Sequence, residues 1–237
     1  MARLYAPCLV CGTKKAAAVD NPALDKTKVD YSLYLVTDRR LSLGRSTLQV
    51  IEAAVAGGAS LVQLREKDCT TRQFYEEGLK VREYLKSKNI PLIVNDRVDI
   101  ALALDADGVH VGKDDLPVDV ARKILGREKI IGVSVFTAEE AKAAEALGAD
   151  YLSLSPIFVT GTKPELVEYI GIEGVLPIRR SVKIPLVGIG AINWANAYEA
   201  IRSGLDGVAV VSAICSQDDP KAAAAALRAE VMRAKGQ

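Results

Sequence analysis

Leu61-Val62-Gln63-Leu64-Arg65-Glu66-Lys67 is the stretch from which the fold is read. Ser60 to Leu64 is apolar, carries a β-branched Val and contains no breaker, so it reads as a strand. Polarity then jumps within two residues. Side chains alternate faces along a strand, which puts Gln63, Arg65 and Lys67 on one face at its C-terminal end. Arg offers a planar fork of donors and Lys a compact point charge, a pairing that suits phosphate or pyrophosphate. Taken alone, the seven residues read more simply as surface cations at a strand end, with Glu66 as their partner. What lies on either side changes that balance.

From Tyr31 onward, strand-like and helix-like runs alternate eight times. The strand runs are 32–37, 60–64, 91–95, 108–111, 129–134, 150–154, 184–188 and 207–212. Between them lie helical stretches: 46–56, one capped by Thr70 or Thr71 and running to about Ser87, 98–104, and 117–125. Further stretches follow from Thr137 to Gly148, at 172–181, 193–202 and 218–235. Strands apolar on both faces call for a parallel sheet covered by helices. Eight such units predict an α/β fold, a (β/α)8 TIM barrel, with residues 31–237 as one catalytic domain. An open doubly wound sheet would carry a Gly-rich phosphate loop after its first strand, where this chain has Thr37-Asp38-Arg39-Arg40.

The 237 residues are 49% hydrophobic, enough for one sizeable core, and 31 basic against 30 acidic residues leave a net charge of +1. That balance gives no support to a nucleic-acid partner. No run of about 18 apolar residues appears, so no membrane span is expected. Residues 1–30 lack a sustained period and read as a loose N-terminal extension. Cys8 and Cys11 form half of a zinc site at best, and the four cysteines read as free thiols of a cytoplasmic protein. Oligomeric state stays open, a homo-oligomer being allowed.

In a barrel every strand's C-terminal end faces one mouth, which turns a linear list of polar residues into a site. Arg65, Lys67, Asn95, Ser134 and Lys163 supply donors there. Asp96 and Asp115 are hard oxygen ligands on adjoining strands, and beside cations they suit Mg²⁺ held partly by substrate phosphates. Asp114 rivals Asp115 in this role. A second zone spans strands seven and eight, where Gly188-Ile189-Gly190 and Ser212 offer a phosphate site, with the hydroxyls of Thr160 and Thr162 nearby. Neither a nucleophile–base pair of Cys or His nor a mid-strand Lys is present. The mouth reads as built to stabilise a departing anion.

Val62 to Lys67, Asn95-Asp96-Arg97, Gly108 to Gly112, Thr160-Gly161-Thr162-Lys163 and Val187 to Gly190 together resemble the thiamine phosphate synthase family, over about residues 31–235. The resemblance implies a transferase that joins hydroxymethylpyrimidine diphosphate to a thiazole phosphate. Pyrophosphate would leave first, and the thiazole nitrogen would capture the resulting cation. It implies that Gln63, Leu64, Arg65, Glu66, Lys67, Asn95, Ser134 and Lys163 bind the pyrimidine diphosphate and that Asp96 and Asp115 hold Mg²⁺. Arg65, Lys67, Ser134 and Lys163 would be catalytic. Thr160, Gly161, Thr162, Ala191, Val211 and Ser212 would meet the thiazole phosphate. The chain departs from the family at Ser153, Ser155 and Ala191, where Gly is usual, and at Val159 and Lys113.

Two other readings share the scaffold. A thiazole tautomerase would use a His shortly after the fifth strand, where this chain has Phe136. A non-catalytic sensor of phosphorylated metabolites would need no pair of aspartates.

Overall fold

The computed structural model describes residues 24–159 and 168–237. Its strands are β1 (Leu33–Val36), β2 (Leu61–Leu64), β3 (Leu92–Asn95), β4 (Gly108–Val111), β5 (Ile130–Val135), β6 (Tyr151–Leu154), β7 (Leu186–Gly188) and β8 (Gly207–Val210). They pair in parallel in sequence order and close through β1 and β8, so the expected (β/α)8 barrel is the fold. The helices are α1 (Thr47–Ala56), α2 (Thr71–Ser87), α3 (Val98–Ala103), α4 (Val118–Leu125), α5 (Ala138–Ala146), α6 (Gly171–Ser181), α7 (Ala197–Arg202), α8 (Ser212–Cys215) and α9 (Pro220–Lys235).

Alternation along each strand divides the core in two. One set of side chains, including Leu35, Val62, Leu64, Val94 and Val109, packs between strands and helices. The other set, with Tyr34, Leu61, Ile93, Ile130, Tyr151 and Val187, fills the barrel interior. Helices start where polar side chains satisfy the orphan amides of the first turn. Ser46, Thr70 and Thr137 each form a reciprocal capping box, with Gln49, Gln73 and Glu140. Thr70, rather than Thr71, is thus the cap of α2.

Three expectations need correction. The eighth strand stops at Val210, because the chain turns at Val211 and Ser212 begins α8. The seventh helix starts at Ala197, not Asn193: Asn193 Oδ1 accepts from the Ala195 amide and Asn196 Oδ1 from the Asn193 amide, holding a turn that competes with helix. Residues 24–30, expected to be loose, are fastened to the base of the barrel. Leu24 and Val29 pack against the interior cluster. Lys26 Nζ donates to the Arg127 carbonyl at 2.6 Å and pairs with Asp150 at 2.8 Å, and Asp30 pairs with Arg228 at 2.8 Å. Cys8 and Cys11 lie outside the described residues.

Candidate active site

A cavity of about 1110 Å³ opens at the C-terminal mouth, lined by Arg65, Lys67, Asn95, Asp96, Asp115 and Ser134 among others. β2 ends at Leu64, so Arg65 and Lys67 stand on the loop beyond it. The Arg65 amide donates to Thr37 Oγ1 at 2.9 Å, and its guanidinium pairs with Asp38 at 2.8 Å. Lys67 pairs with Asp96. The two cations are therefore held by the ends of neighbouring strands.

The Asp96 backbone is left-handed, with φ 59°, and its amide donates to the His110 carbonyl at 2.8 Å. Asp tolerates this region better than most residues, and such strain concentrates at functional sites. Asp115 lies on the next loop and accepts from the Gly112 amide at 2.7 Å. Burial, with Asp96 beside it, holds the Asp115 carboxyl above its ordinary value. Asp114 lines the same cavity but is exposed, whereas Asp115 faces Asp96. Among the described residues, no cluster of three or more His, Cys, Asp or Glu is placed to hold a metal. Asp96 and Asp115 are thus a two-carboxylate set, which would leave most coordination positions to phosphate and water.

Other predicted residues fall elsewhere. Leu64 is buried between the barrel and its helices, so its side chain turns away from the mouth. Glu66 also turns its side chain aside. Its carboxylate faces Arg39 at 3.1 Å and Thr47 Oγ1 at 3.1 Å, with a side chain only 3% exposed, and so it braces the β2–α2 loop. Gln63 points into the barrel interior below Arg65, donating to the Tyr34 hydroxyl at 2.9 Å. Ala191, Val211 and Ser212 stand at the ends of β7 and β8, outside the lining of the large cavity. Ala191 is left-handed, with φ 50°. Thr160, Gly161, Thr162 and Lys163 lie outside the described residues. Of the departures from the family, Lys113 and Ser155 line the cavity, Ser153 is buried and Val159 is exposed.

The sequence reading missed His110, which lines the cavity and meets Ser134 Oγ at 2.9 Å through Nε2. It also missed the residues behind it, Tyr151 and Tyr34. Alternation along β4 was the available signal: Val109 and Val111 pack toward the helices, so His110 between them faces inward.

The family model for thiamine monophosphate synthase matches residues 33–214, a span that holds every predicted site residue. The chain belongs to the thiamine monophosphate synthase family. A thiamine-phosphate synthase of Chloroflexus aurantiacus is 55% identical over 203 residues, covering 86% of this chain and 94% of the relative. One from Moorella thermoacetica is 50% identical, covering 87% and 98%. A solved thiamine phosphate pyrophosphorylase from Pyrococcus furiosus superposes with TM-score 0.81 at 42% identity, covering 87% of this chain and 98% of that one. A 3-hexulose-6-phosphate synthase structure, with TM-score 0.63 at 21% identity over 84% and 99% of the two chains, shares the fold alone. In this thiamine monophosphate synthase family member the paired aspartates and the two cations meet at one mouth.

Proposed function

We propose that this chain is a thiamine-phosphate synthase that condenses hydroxymethylpyrimidine diphosphate with hydroxyethylthiazole phosphate, releasing pyrophosphate; the thiazole carboxylate phosphate is a variant substrate. The observation that carries the reading is the convergence of Arg65, Lys67, Asp96 and Asp115 on one cavity in a member of this family. Arg65, Lys67, Ser134 and Lys163 bind the diphosphate and stabilise it as it departs. Among the described residues nothing at the mouth is arranged to attack, which fits a course in which the leaving group goes first and the thiazole nitrogen closes the new C–N bond. Thr160, Gly161, Thr162, Ala191, Val211 and Ser212 receive the thiazole phosphate.

Asp96 and Asp115 fit Mg²⁺: they are hard oxygen donors side by side, and burial, with Asp96 beside it, disfavours the anionic form of Asp115 until a cation joins them. Bound there, Mg²⁺ would neutralise charge on the leaving diphosphate. Lys67 already offsets part of the Asp96 charge. Cytoplasmic residence belongs to the same proposal. Cys69 and Cys215 are free thiols, and among the described residues no helix is long and apolar enough to cross a membrane.

The test mixes purified protein, both substrates and Mg²⁺, then assays thiamine phosphate while each component is omitted in turn. Product should require all of them. Isomerisation of a thiazole carboxylate phosphate offered alone would mark a tautomerase, and binding without turnover would mark a sensor. Full activity in excess chelator would refute the metal assignment.

A further inference from the structure

A hydrogen-bonded chain crosses the barrel interior and ends at the mouth. Gln63 Nε2 donates to the Tyr34 hydroxyl at 2.9 Å, and Tyr34 meets the Tyr151 hydroxyl at 2.8 Å. Tyr151 meets His110 Nδ1 at 2.9 Å, and His110 Nε2 meets Ser134 Oγ at 2.9 Å. Tyr34 and Tyr151 are fully buried, and burial keeps both phenols protonated far above the ordinary range. The chain is built into the backbone as well. A Cβ at Gly132 would sit 2.0 Å from Tyr151 Cζ, so only glycine leaves room for that ring.

Each hydroxyl has one proton to give, so a donor at one end orients all the links. Gln63 fills the acceptor side of Tyr34, which sends the Tyr34 proton to Tyr151 and the Tyr151 proton to His110 Nδ1. A neutral imidazole that accepts at Nδ1 carries its proton on Nε2 and donates it to Ser134. The Ser134 proton is then the one remaining at the cavity.

We propose that this chain fixes His110 as its Nε2–H tautomer and makes Ser134 a hydrogen-bond donor toward the mouth, with Tyr34 and Tyr151 as positioning residues acting through the imidazole. The acceptor is an anionic oxygen of the diphosphate, a part of the proposal that rests on the function given above. A serine free to rotate would offer lone pair or proton with equal ease. One held by a donating imidazole faces an anion with its proton already aimed.

His110 is the only histidine of the 237 residues, so tag-free protein labelled with 15N-histidine gives a single imidazole in a long-range 1H–15N spectrum. Near neutral pH, Nδ1 should show a pyridine-type shift and Nε2 a pyrrole-type shift. The reverse pattern, or two pyrrole-type shifts from an imidazolium, overturns the proposal. Tyr151→Phe should mix the tautomers; an unchanged spectrum would sever Tyr151 from the relay. The wild-type spectrum is decisive by itself should that variant fail to fold. Pyrophosphate binding is the second readout. Ser134→Ala and Tyr151→Phe should each weaken it by about tenfold, and the double variant should be no weaker than Ser134→Ala alone. Multiplying losses would make Tyr151 merely structural. Wild-type protein that ignores pyrophosphate would overturn the diphosphate acceptor and the function it rests on, while leaving the tautomer readable.

Discussion

Arg65 reaches the mouth with part of its guanidinium already paired to Asp38 at 2.8 Å. The pairing orients the fork, so the remaining N–H groups meet a ligand without a search over rotamers. Arg65→Lys keeps the charge and loses the fork. We expect kcat/KM to fall by about a hundredfold, roughly 2.7 kcal/mol, with urea-unfolding midpoints almost unchanged; a fall of less than threefold would remove the bidentate role. Asp38→Asn should produce a smaller loss in the same direction. Ala191 is the converse case. Its left-handed backbone, φ 50°, costs an L-residue about 1–2 kcal/mol, while glycine adds unfolded-chain entropy of about 0.4–1 kcal/mol. Ala191→Gly should therefore raise stability by about 1 kcal/mol, read as a shift in denaturation midpoint. Residue types and spacing brought forward Arg65, Lys67, Asp96 and Asp115 as candidates, which the fold gathers on one cavity, because charge at a strand end is unusual and readable. They did not reveal Glu66 as a brace for Arg39 and Thr47, since its partners lie on another unit. Nor did they reveal the Tyr34–Tyr151–His110 chain, because aromatic residues inside strands look like ordinary core.

At the scale of single elements, local chemistry predicts beginnings better than ends. Thr137 followed by Glu140, and Thr70 followed by Gln73, contain the whole of a capping box within four residues. Thr70→Ala removes the hydroxyl that accepts from the Gln73 amide at 3.2 Å, and should lower stability by about 1 kcal/mol in chemical denaturation. Thr70→Ser should restore most of it; no loss in the alanine variant would mean that solvent serves the cap equally well. The end of β8 was less readable. Val211 is β-branched and continues the apolar run, yet β8 stops one residue earlier and Ser212 opens α8. At the seventh helix, the apolar period places the start at Asn193, whereas Asn193 and Asn196 together build the turn that carries Ala191, Asn196 Nδ2 donating to its carbonyl at 3.1 Å. Asparagine serves caps and turns alike, so the identity of the residue leaves the choice to its neighbours.

Closure is a property of the whole molecule, and eight repeated units predict it while leaving its fastening unseen. The seam runs between β1 and β8, which pair at Leu33–Val208, Tyr34–Ala209 and Leu35–Val210. Side chains tie it at both faces. Below, Arg228 pairs with Asp30 at 2.8 Å and Lys235 Nζ donates to Ser32 Oγ at 2.7 Å, so α9 grips the segment leading into β1. Above, the Arg45 guanidinium, on the β1–α1 loop, donates to the carbonyls of Cys215 at 3.2 Å, Gln217 at 2.6 Å and Asp218 at 2.9 Å. One cation thus satisfies three carbonyls at the end of α8 and the turn into α9, where the orphan acceptors of a helix end gather. Lysine offers no planar fork and cannot reach all three at once. Arg45→Ala should cost about 2–3 kcal/mol, since hydrogen bonds from a charged donor contribute more than neutral ones. Because the loss falls on the seam, amide hydrogen exchange should rise first in β1, β8 and α8 and leave β4 and β5 protected. Uniform acceleration across all eight strands would mean that Arg45 supports the barrel as a whole and is not a clasp for its closure.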